Sequence, residues 1–163
     1  MNMEIIEISQ VNDCLAEMVA LFRVELRSYK GITSKPNIEA GREEMEEYLA
    51  AGFPVFAAIV DGAYAGYVVC RVDSEVVWME SIFVKEEYRR HSVASALHNK
   101  AEEIAASYGE ETVYNYVHPN NHRMIGFLRK RGYTVLNLIE IRKPYKGEKL
   151  TQTITVGEHE FDY

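Results

Sequence analysis

The sequence predicts a mixed α/β fold, and three observations support this. Strand-like segments in the middle of the chain are joined by short turns, of which Asp61-Gly62 is the strongest hairpin signal. A strand, a long amphipathic helix and another strand follow, as in a parallel β-α-β connection. A helical pair also lies between the first strand and the hairpins. The predicted order β α α β β β α β α β β therefore gives a mixed sheet with helices packed on it.

Length and charge set the class of protein. The chain has 163 residues, and at roughly 150 residues per domain we expect a single domain over residues 1–163. Lys and Arg number 18 and Asp and Glu 25, so the formal net charge is −7. This balance disfavours general nucleic-acid binding, which needs many cationic phosphate contacts. The longest apolar run, residues 55–60, is far shorter than the ~20 residues that a membrane-spanning helix needs, so we expect no such helix.

The N-terminus shows no basic region followed by a long apolar run, so we expect no signal peptide. We therefore expect a cytoplasmic protein that does not bind membranes.

Residues 3–8 alternate apolar and polar, as a half-buried strand does. Apolar residues at spacings of three and four then predict a helix over residues 13–29, with Asn12 or Asp13 as its cap.

The next elements are a second helix and a hairpin. A helix is predicted over residues 39–51, and Gly52 occupies the position that a helix C-cap favours. Residues 54–60 are rich in β-branched and aromatic side chains, and residues 63–72 return as the partner strand. Asp61-Gly62 joins the two, since both residues tolerate positive φ.

A third strand and the longest helix of the second half follow. Asp73-Ser74 is the expected turn, and residues 75–84 form the next strand. The spacing of apolar residues from Val93 to Tyr108 predicts a long helix that ends at Gly109.

The last elements are shorter. Residues 112–117 are a predicted strand, and Pro119-Asn120-Asn121 opens another helix that Gly132 ends. Residues 133–141 and 151–156 are predicted as two final strands.

The turn between the third hairpin strand and the long helix carries the clearest functional signal. It contains Arg89, Arg90 and His91, and the small residues Ser92 and Ala94 open the helix. Helix N-termini leave backbone N–H groups without partners and carry partial positive charge, so a diphosphate would fit here. A plain strand-to-helix turn with solvated arginines is the alternative that the residues leave open.

This segment resembles the acyl-CoA signature of the GNAT family of N-acetyltransferases, which is Arg or Gln, two residues, Gly, one residue, then Gly or Ala. Residues 89–94 read Arg-Arg-His-Ser-Val-Ala, with Ser92 in place of the first glycine. Three other segments resemble family blocks in the same order. They are Gly66 on a hairpin strand, residues 80–84, and residues 117–133, which run from an Asn-bearing turn to Gly-Tyr.

The resemblance implies about seven strands and four helices, with acetyl-CoA bound between the two central strands. It also implies transfer of the acetyl group to an amine of a small molecule or peptide, with Glu80 as the base. A solvated or salt-bridged strand glutamate is the alternative that stays open for Glu80. The backbone of the strand would pair with pantetheine, the Phe83 N–H would face the thioester carbonyl, and the turn would hold the pyrophosphate. The implied cofactor-binding residues are Ile82, Phe83, Val84, Arg89, Arg90, His91, Ser92, Val93, Ala94, Ser95 and Asn121.

The proton donor to the leaving thiolate stays open. Many relatives carry a Tyr seven residues after the Asn, and that position is Leu128 here. Tyr116, Tyr133 and His118 are substitutes, and thiolate release can also proceed without a dedicated acid. Together with Ser92, this keeps a second hypothesis, a non-catalytic acyl-CoA-binding or regulatory module. The enzyme and the acyl-CoA-binding module would both bind CoA, but only the enzyme would release free thiol when it is offered amines. A third hypothesis, a plain interaction domain, predicts no CoA binding.

The acceptor is also open. Four glutamates on the second predicted helix would attract a cationic acceptor, whereas Arg23 and Arg27 near the end of the first would suit a carboxylate or phosphate. Cys14 and Cys70 are expected to be reduced core residues, and no spacing of His, Cys and Asp predicts a metal site. The strand-like tail, residues 137–163, would leave an exposed edge, so we expect a homodimer that covers it.

Overall fold

The computed structural model describes all residues, Met1–Tyr163, and contains four α-helices, one 3-10 turn at Glu86–Tyr88 and seven strands. The predicted fold class, element order and numbers of helices and strands are confirmed. The helices are α1 (Asp13–Ser28), α2 (Ile38–Ala50), α3 (Val93–Ser107) and α4 (His122–Lys130). The strands are β1 (Met3–Glu7), β2 (Val55–Val60), β3 (Ala63–Asp73), β4 (Val76–Val84), β5 (Tyr114–Asn115), β6 (Thr153–Val156) and β7 (His159–Asp162).

The chain divides into two compact units, Met1–Phe127 and Leu128–Tyr163, with the boundary inside α4. The first unit contains a five-stranded sheet in the order β1-β2-β3-β4-β5. Its first three pairings are antiparallel and the last, β4 with β5, is parallel. The meander followed by a parallel strand is the mixed sheet that the element order predicts. A single domain over residues 1–163 stays a prediction.

Helices cover both faces of this sheet. α1 and α2 pack together on one face, and α3 packs against β2, β3 and β4 from the other. Met18 of α1, Met45 of α2 and Tyr67 of β3 belong to the same buried core. Cys70 of β3 is buried as expected, and burial raises the pKa of its thiol to about 12. Cys14 is exposed, because it lies on the outer face of α1, so the expectation that it is a core residue is wrong.

The hairpin turns confirm one prediction and correct another. Asp61 and Gly62 have φ of 47° and 86°, the left-handed pair that a two-residue hairpin needs. In the next hairpin the left-handed residues are Ser74 and Glu75, one position later than predicted. The strand β3 therefore extends to Asp73.

The second unit departs from the sequence prediction. Residues 133–141 form no strand, and the predicted strand over 112–117 shrinks to the two residues of β5. β6 and β7 instead form a separate two-stranded sheet, and β7 was not predicted. Strand propensity reflects packing against a neighbour, and residues 133–141 have no hydrogen-bonded strand beside them. Their large apolar side chains are exposed, namely Val135, Leu136, Leu138, Ile139 and Ile141.

Candidate functional site

Strands β4 and β5 separate soon after they begin to pair. β5 pairs with β4 at two positions only, Trp78 with Tyr114 and Met79 with Asn115. Beyond Met79, residues 81–84 pair with β3 on one side, and residues 80–84 pair with no strand on the other. The sheet therefore has an open edge along the C-terminal half of β4, which we call the open edge.

Hydrogen-bond alternation identifies the groups on this open edge. The Lys85 N–H donates to the Ala65 carbonyl at 2.9 Å, so the backbone groups of Phe83, two residues earlier, also face β3. Those of Ile82 and Val84 face the open edge, where an extended ligand can add as a strand does. The Phe83 N–H thus points away from the open edge, contrary to the role that the family resemblance implied for it.

A β-bulge in β4 lies at the N-terminal end of the open edge. Val69 pairs with Ser81 and Cys70 pairs with Met79, which leaves Glu80 as an extra residue in β4. A bulge redirects side chains and is common beside active sites. It places the predicted base at the point where β4 and β5 separate.

Glu80 has a defined partner. Its Oε2 accepts a hydrogen bond from Arg71 Nε at 3.2 Å, and the two side chains are 30% and 29% exposed. The Arg71 guanidinium lies 4.4 Å from the centre of the Trp78 ring, a cation–π contact that fixes its position. Sequence reasoning missed Arg71, because no local motif signals a cross-strand ion pair.

A polar cluster from α1 and α2 lies near Glu80. Arg23 Nε donates to Glu44 Oε1 at 2.7 Å and Arg23 Nη2 to Tyr48 Oη at 3.5 Å, while Glu44 Oε2 is buried without a hydrogen-bond partner. Burial raises the pKa of Tyr48 to about 12, and the negative charges of Glu44 and Glu80 add to this shift. Arg23 is thus already paired, while the cluster keeps an unpaired carboxylate oxygen.

The turn before α3 has the backbone of an anion site. Arg90 and Ser92 have φ of 64° and 63°, both in the left-handed region. Ser92 makes no side-chain cap bond, and the first helical hydrogen bond runs from the Ala96 N–H to the Ser92 carbonyl. The N–H groups of residues 93–95 are therefore outside the helical ladder. Ser92 thus adopts the conformation that glycine would adopt at this position.

Arg89 is held by three contacts. Its Nε donates to the Val84 carbonyl at 2.8 Å, its Nη2 donates to the Glu25 carboxylate, and its guanidinium lies 5.6 Å from the Phe83 ring centre. Arg123 of α4 donates to the other oxygen of Glu25 at 3.1 Å. Sequence reasoning missed Glu25, which lies 64 positions from Arg89.

The residues after β5 lie at the start of α4. Asn121 Oδ1 accepts from the Met124 N–H at 3.1 Å and so caps the helix. His118 stacks on Tyr29, with ring centres 6.2 Å apart. Burial, and secondly the charge of Lys30, lower the pKa of His118 below its ordinary value. The contact of Asn121 with pantetheine stays a prediction.

A cleft of about 320 Å³ lies between α1 and the end of β4. The charged side chains that line the cleft are Glu17, Glu25, Lys85, Glu86, Glu87 and Arg89.

No group of three His, Cys, Asp or Glu side chains is placed to hold a metal ion. No helix is both long enough and apolar enough to cross a membrane.

Solved structures share this fold. The aminoglycoside N-acetyltransferase AAC(6')-Iy in complex with CoA is 23% identical, with 87% of this chain and 95% of that chain covered and a TM-score of 0.65. The same enzyme with a bisubstrate analogue, CoA-S-monomethyl-acetylneamine, is 22% identical, with 89% and 100% covered and a TM-score of 0.64. The PaiA N-acetyltransferase of Thermoplasma acidophilum in complex with coenzyme A is 20% identical, with 80% and 89% covered and a TM-score of 0.65.

The family assignment comes from a match over most of the chain. The family model described as acetyltransferase (GNAT) family matches residues 18–133. This range includes the bulge at Glu80, the open edge and the left-handed turn before α3. The chain belongs to the GNAT family of acetyltransferases.

Proposed function

We propose that this protein transfers an acetyl group from acetyl-CoA to a primary amine. The observation that carries the proposal is the continuity of three features along β4. The bulge at Glu80 begins the open edge, and the open edge leads to the left-handed turn at Arg90 and Ser92. Acetyl-CoA has its parts in the same order: the thioester, the extended pantetheine arm and the diphosphate at the far end. The neighbours solved with CoA have the same fold.

The residues present fit the cosubstrate. The outward carbonyl of Ile82 and the outward N–H of Val84 would pair with the amides of pantetheine. The N–H groups of residues 93–95 and the partial positive charge of the α3 N-terminus would hold the pyrophosphate, and Arg90 and His91 are exposed beside them. The cosubstrate supplies an acyl group activated as a thioester.

The chemistry assigned to this chain is proton transfer and charge stabilisation. Glu80 takes a proton from the acceptor ammonium, directly or through water, so that a neutral nitrogen can attack the thioester carbon. The Ile82 N–H, next to the bulge on the open edge, donates to the oxyanion of the tetrahedral intermediate. Collapse of that intermediate breaks the C–S bond. Leu128 offers no hydroxyl, and in this proposal the sulfur leaves as a thiolate without a dedicated acid.

We propose a small acceptor with several amino groups. Two features support this: Arg23 is neutralised by Glu44 and so is not free to bind an anion, and Glu44 keeps one buried oxygen without a partner. The AAC(6')-Iy structures reported above are of an aminoglycoside N-acetyltransferase, and an aminoglycoside or a polyamine has the same chemistry of clustered ammonium groups.

We also propose that the protein is a cytoplasmic homodimer. Five large apolar side chains between Val135 and Ile141 are exposed, and pairing of this segment with a second copy would cover them. Light scattering at micromolar concentration tests this directly. A monomer at all concentrations contradicts the dimer and leaves the activity proposal intact.

Calorimetric titration with CoA and acetyl-CoA tests the cofactor site. We expect micromolar binding to the wild type and no binding to Ser92→Glu, because the new carboxylate would face the diphosphate. Ser92→Ala, which removes only the hydroxyl, is the matched control and should bind within a few fold of wild type. An unchanged affinity in Ser92→Glu would show that the turn is not the site.

Thiol release in a panel of amines tests catalysis. Glu80→Gln should lower turnover, most strongly at the acidic end of the pH range, where the acceptor is mostly an ammonium ion. Its CoA affinity should stay within a few fold. Glu4→Gln, an exposed carboxylate on the edge strand β1, is the control and should leave turnover unchanged. CoA binding without thiol release from any amine would instead favour a non-catalytic acyl-CoA-binding module.

A further inference from the structure

We infer that Glu25 is a positioning residue for CoA: through Arg89 it stabilises the left-handed turn at Arg90 and Ser92. The inference rests on the proposed function, because it concerns the affinity of that site for CoA. Glu25 lies on α1, outside the family signature, and it reaches the turn through the side chain of Arg89.

Arg89 is oriented toward β4 and α1. Its Nε donates to the outward-facing carbonyl of Val84, and its Nη2 donates to Glu25. The Arg89 side chain is 21% exposed and Glu25 is 30% exposed, so water screens this ion pair only partly. The guanidinium also lies 5.6 Å from the Phe83 ring centre. These contacts fix the residue that immediately precedes the turn.

The turn itself needs outside support. Two residues with side chains, Arg90 and Ser92, adopt positive φ within three positions, a conformation that only glycine adopts freely. Such backbone persists only where the surroundings hold it. Neither residue is buried, and Ser92 makes no cap bond, so the turn has little support of its own. The ion pair of Arg89 with Glu25 supplies support at the N-terminal side of the turn.

The competing interpretation is that Arg89 binds phosphate directly and Glu25 merely occupies it in the free protein. The two interpretations predict opposite signs. If Glu25 holds the turn in place, its neutralisation lowers the population of the binding-competent turn and raises the dissociation constant in proportion. If Glu25 competes with phosphate, its neutralisation frees Arg89 and also Arg123, and CoA binds more tightly.

The experiment is calorimetric titration of CoA into five full-length proteins: wild type, Glu25→Gln, Glu17→Gln, Ser92→Gly and Glu25→Gln/Ser92→Gly. Glu17 lies two turns earlier on α1, lines the same cleft and is exposed, so its variant controls for the loss of one negative charge. We expect Glu25→Gln to bind about 5- to 10-fold more weakly and Glu17→Gln to stay within about 2-fold. The double variant should recover most of the loss, because glycine at residue 92 needs less support.

The rescue distinguishes positioning from a general structural role, which Ser92→Gly would not repair. Equal or tighter binding by Glu25→Gln overturns the inference, and so does weaker binding without rescue. If Glu25→Gln fails to fold by circular dichroism, Glu25→Asp replaces it, since it keeps the charge and shortens the reach to Arg89. A wild type that binds no CoA refutes the proposed function, and the inference with it.

Discussion

Replacing Ser92 by glycine should stabilise this protein. Ser92 has φ of 63° and ψ of 10°, the left-handed helical conformation, at the position immediately before α3. It is exposed and makes no side-chain cap bond, so glycine removes no packing and no hydrogen bond. What glycine removes is the clash between Cβ and the backbone that a left-handed residue suffers.

The magnitude follows from two opposing terms. A left-handed residue with a Cβ is disfavoured by about 1–2 kcal/mol. Glycine also lowers the free energy of unfolding by about 0.4–1 kcal/mol, because it raises the conformational entropy of the unfolded chain. The net gain in free energy of unfolding is then about 0.5–1 kcal/mol, which for a chain of this size raises the melting temperature by about 1–4 °C.

Thermal and urea unfolding followed by circular dichroism measure this change, with Ser92→Ala as the control. Alanine keeps the Cβ and its clash, so its stability should lie within about 0.5 kcal/mol of wild type. The reasoning is refuted if alanine stabilises as much as glycine, since the gain would then come from loss of the hydroxyl. It is equally refuted if glycine destabilises, since the turn would then not be strained.

Four other predictions concern packing and titration. Gly66→Ala should destabilise the fold by about 1–3 kcal/mol in urea unfolding, because a Cβ there would lie 2.5 Å from the Phe83 carbonyl oxygen. Gly126→Ala, with nothing within 4 Å of the added Cβ, should be neutral or stabilising by up to about 1 kcal/mol. The Tyr48 phenol should ionise near pH 12 in a spectrophotometric titration, mainly because it is buried. His118 should show an NMR titration midpoint below its ordinary value, so its imidazole is neutral at pH 7.

Local patterns predicted most of the first unit. Helical spacing gave α1 within one residue at its C-terminus, and Asp61-Gly62 fixed the first hairpin. These signals work because they lie within a few residues of the structure they determine. Residues 133–141 show the limit: their strand-like composition is real, but pairing depends on a neighbour that composition does not specify.

The candidate site, like the fold, could be predicted from the sequence only in part. The turn at residues 89–95 follows from a strand end, a basic run and small residues, so it could be identified from sequence. The bulge at Glu80 could not, because it arises from the register of β4 against β3. Arg71 and Glu25 were missed because each contacts a partner on another element, which lies 9 positions away for Arg71 and 64 positions away for Glu25.

Ser92 departs from the family pattern at a glycine, and the structure shows what that departure changes. The backbone at this position keeps the left-handed conformation that glycine would adopt, so the geometry of the turn is retained. Serine makes that geometry less stable, and Arg89, fixed to Val84 and Glu25, opposes its loss. The substitution therefore predicts a greater dependence of the turn on α1, rather than loss of the site. A motif position is better judged by its backbone conformation than by residue identity alone, because the amides that would hold a diphosphate belong to the backbone.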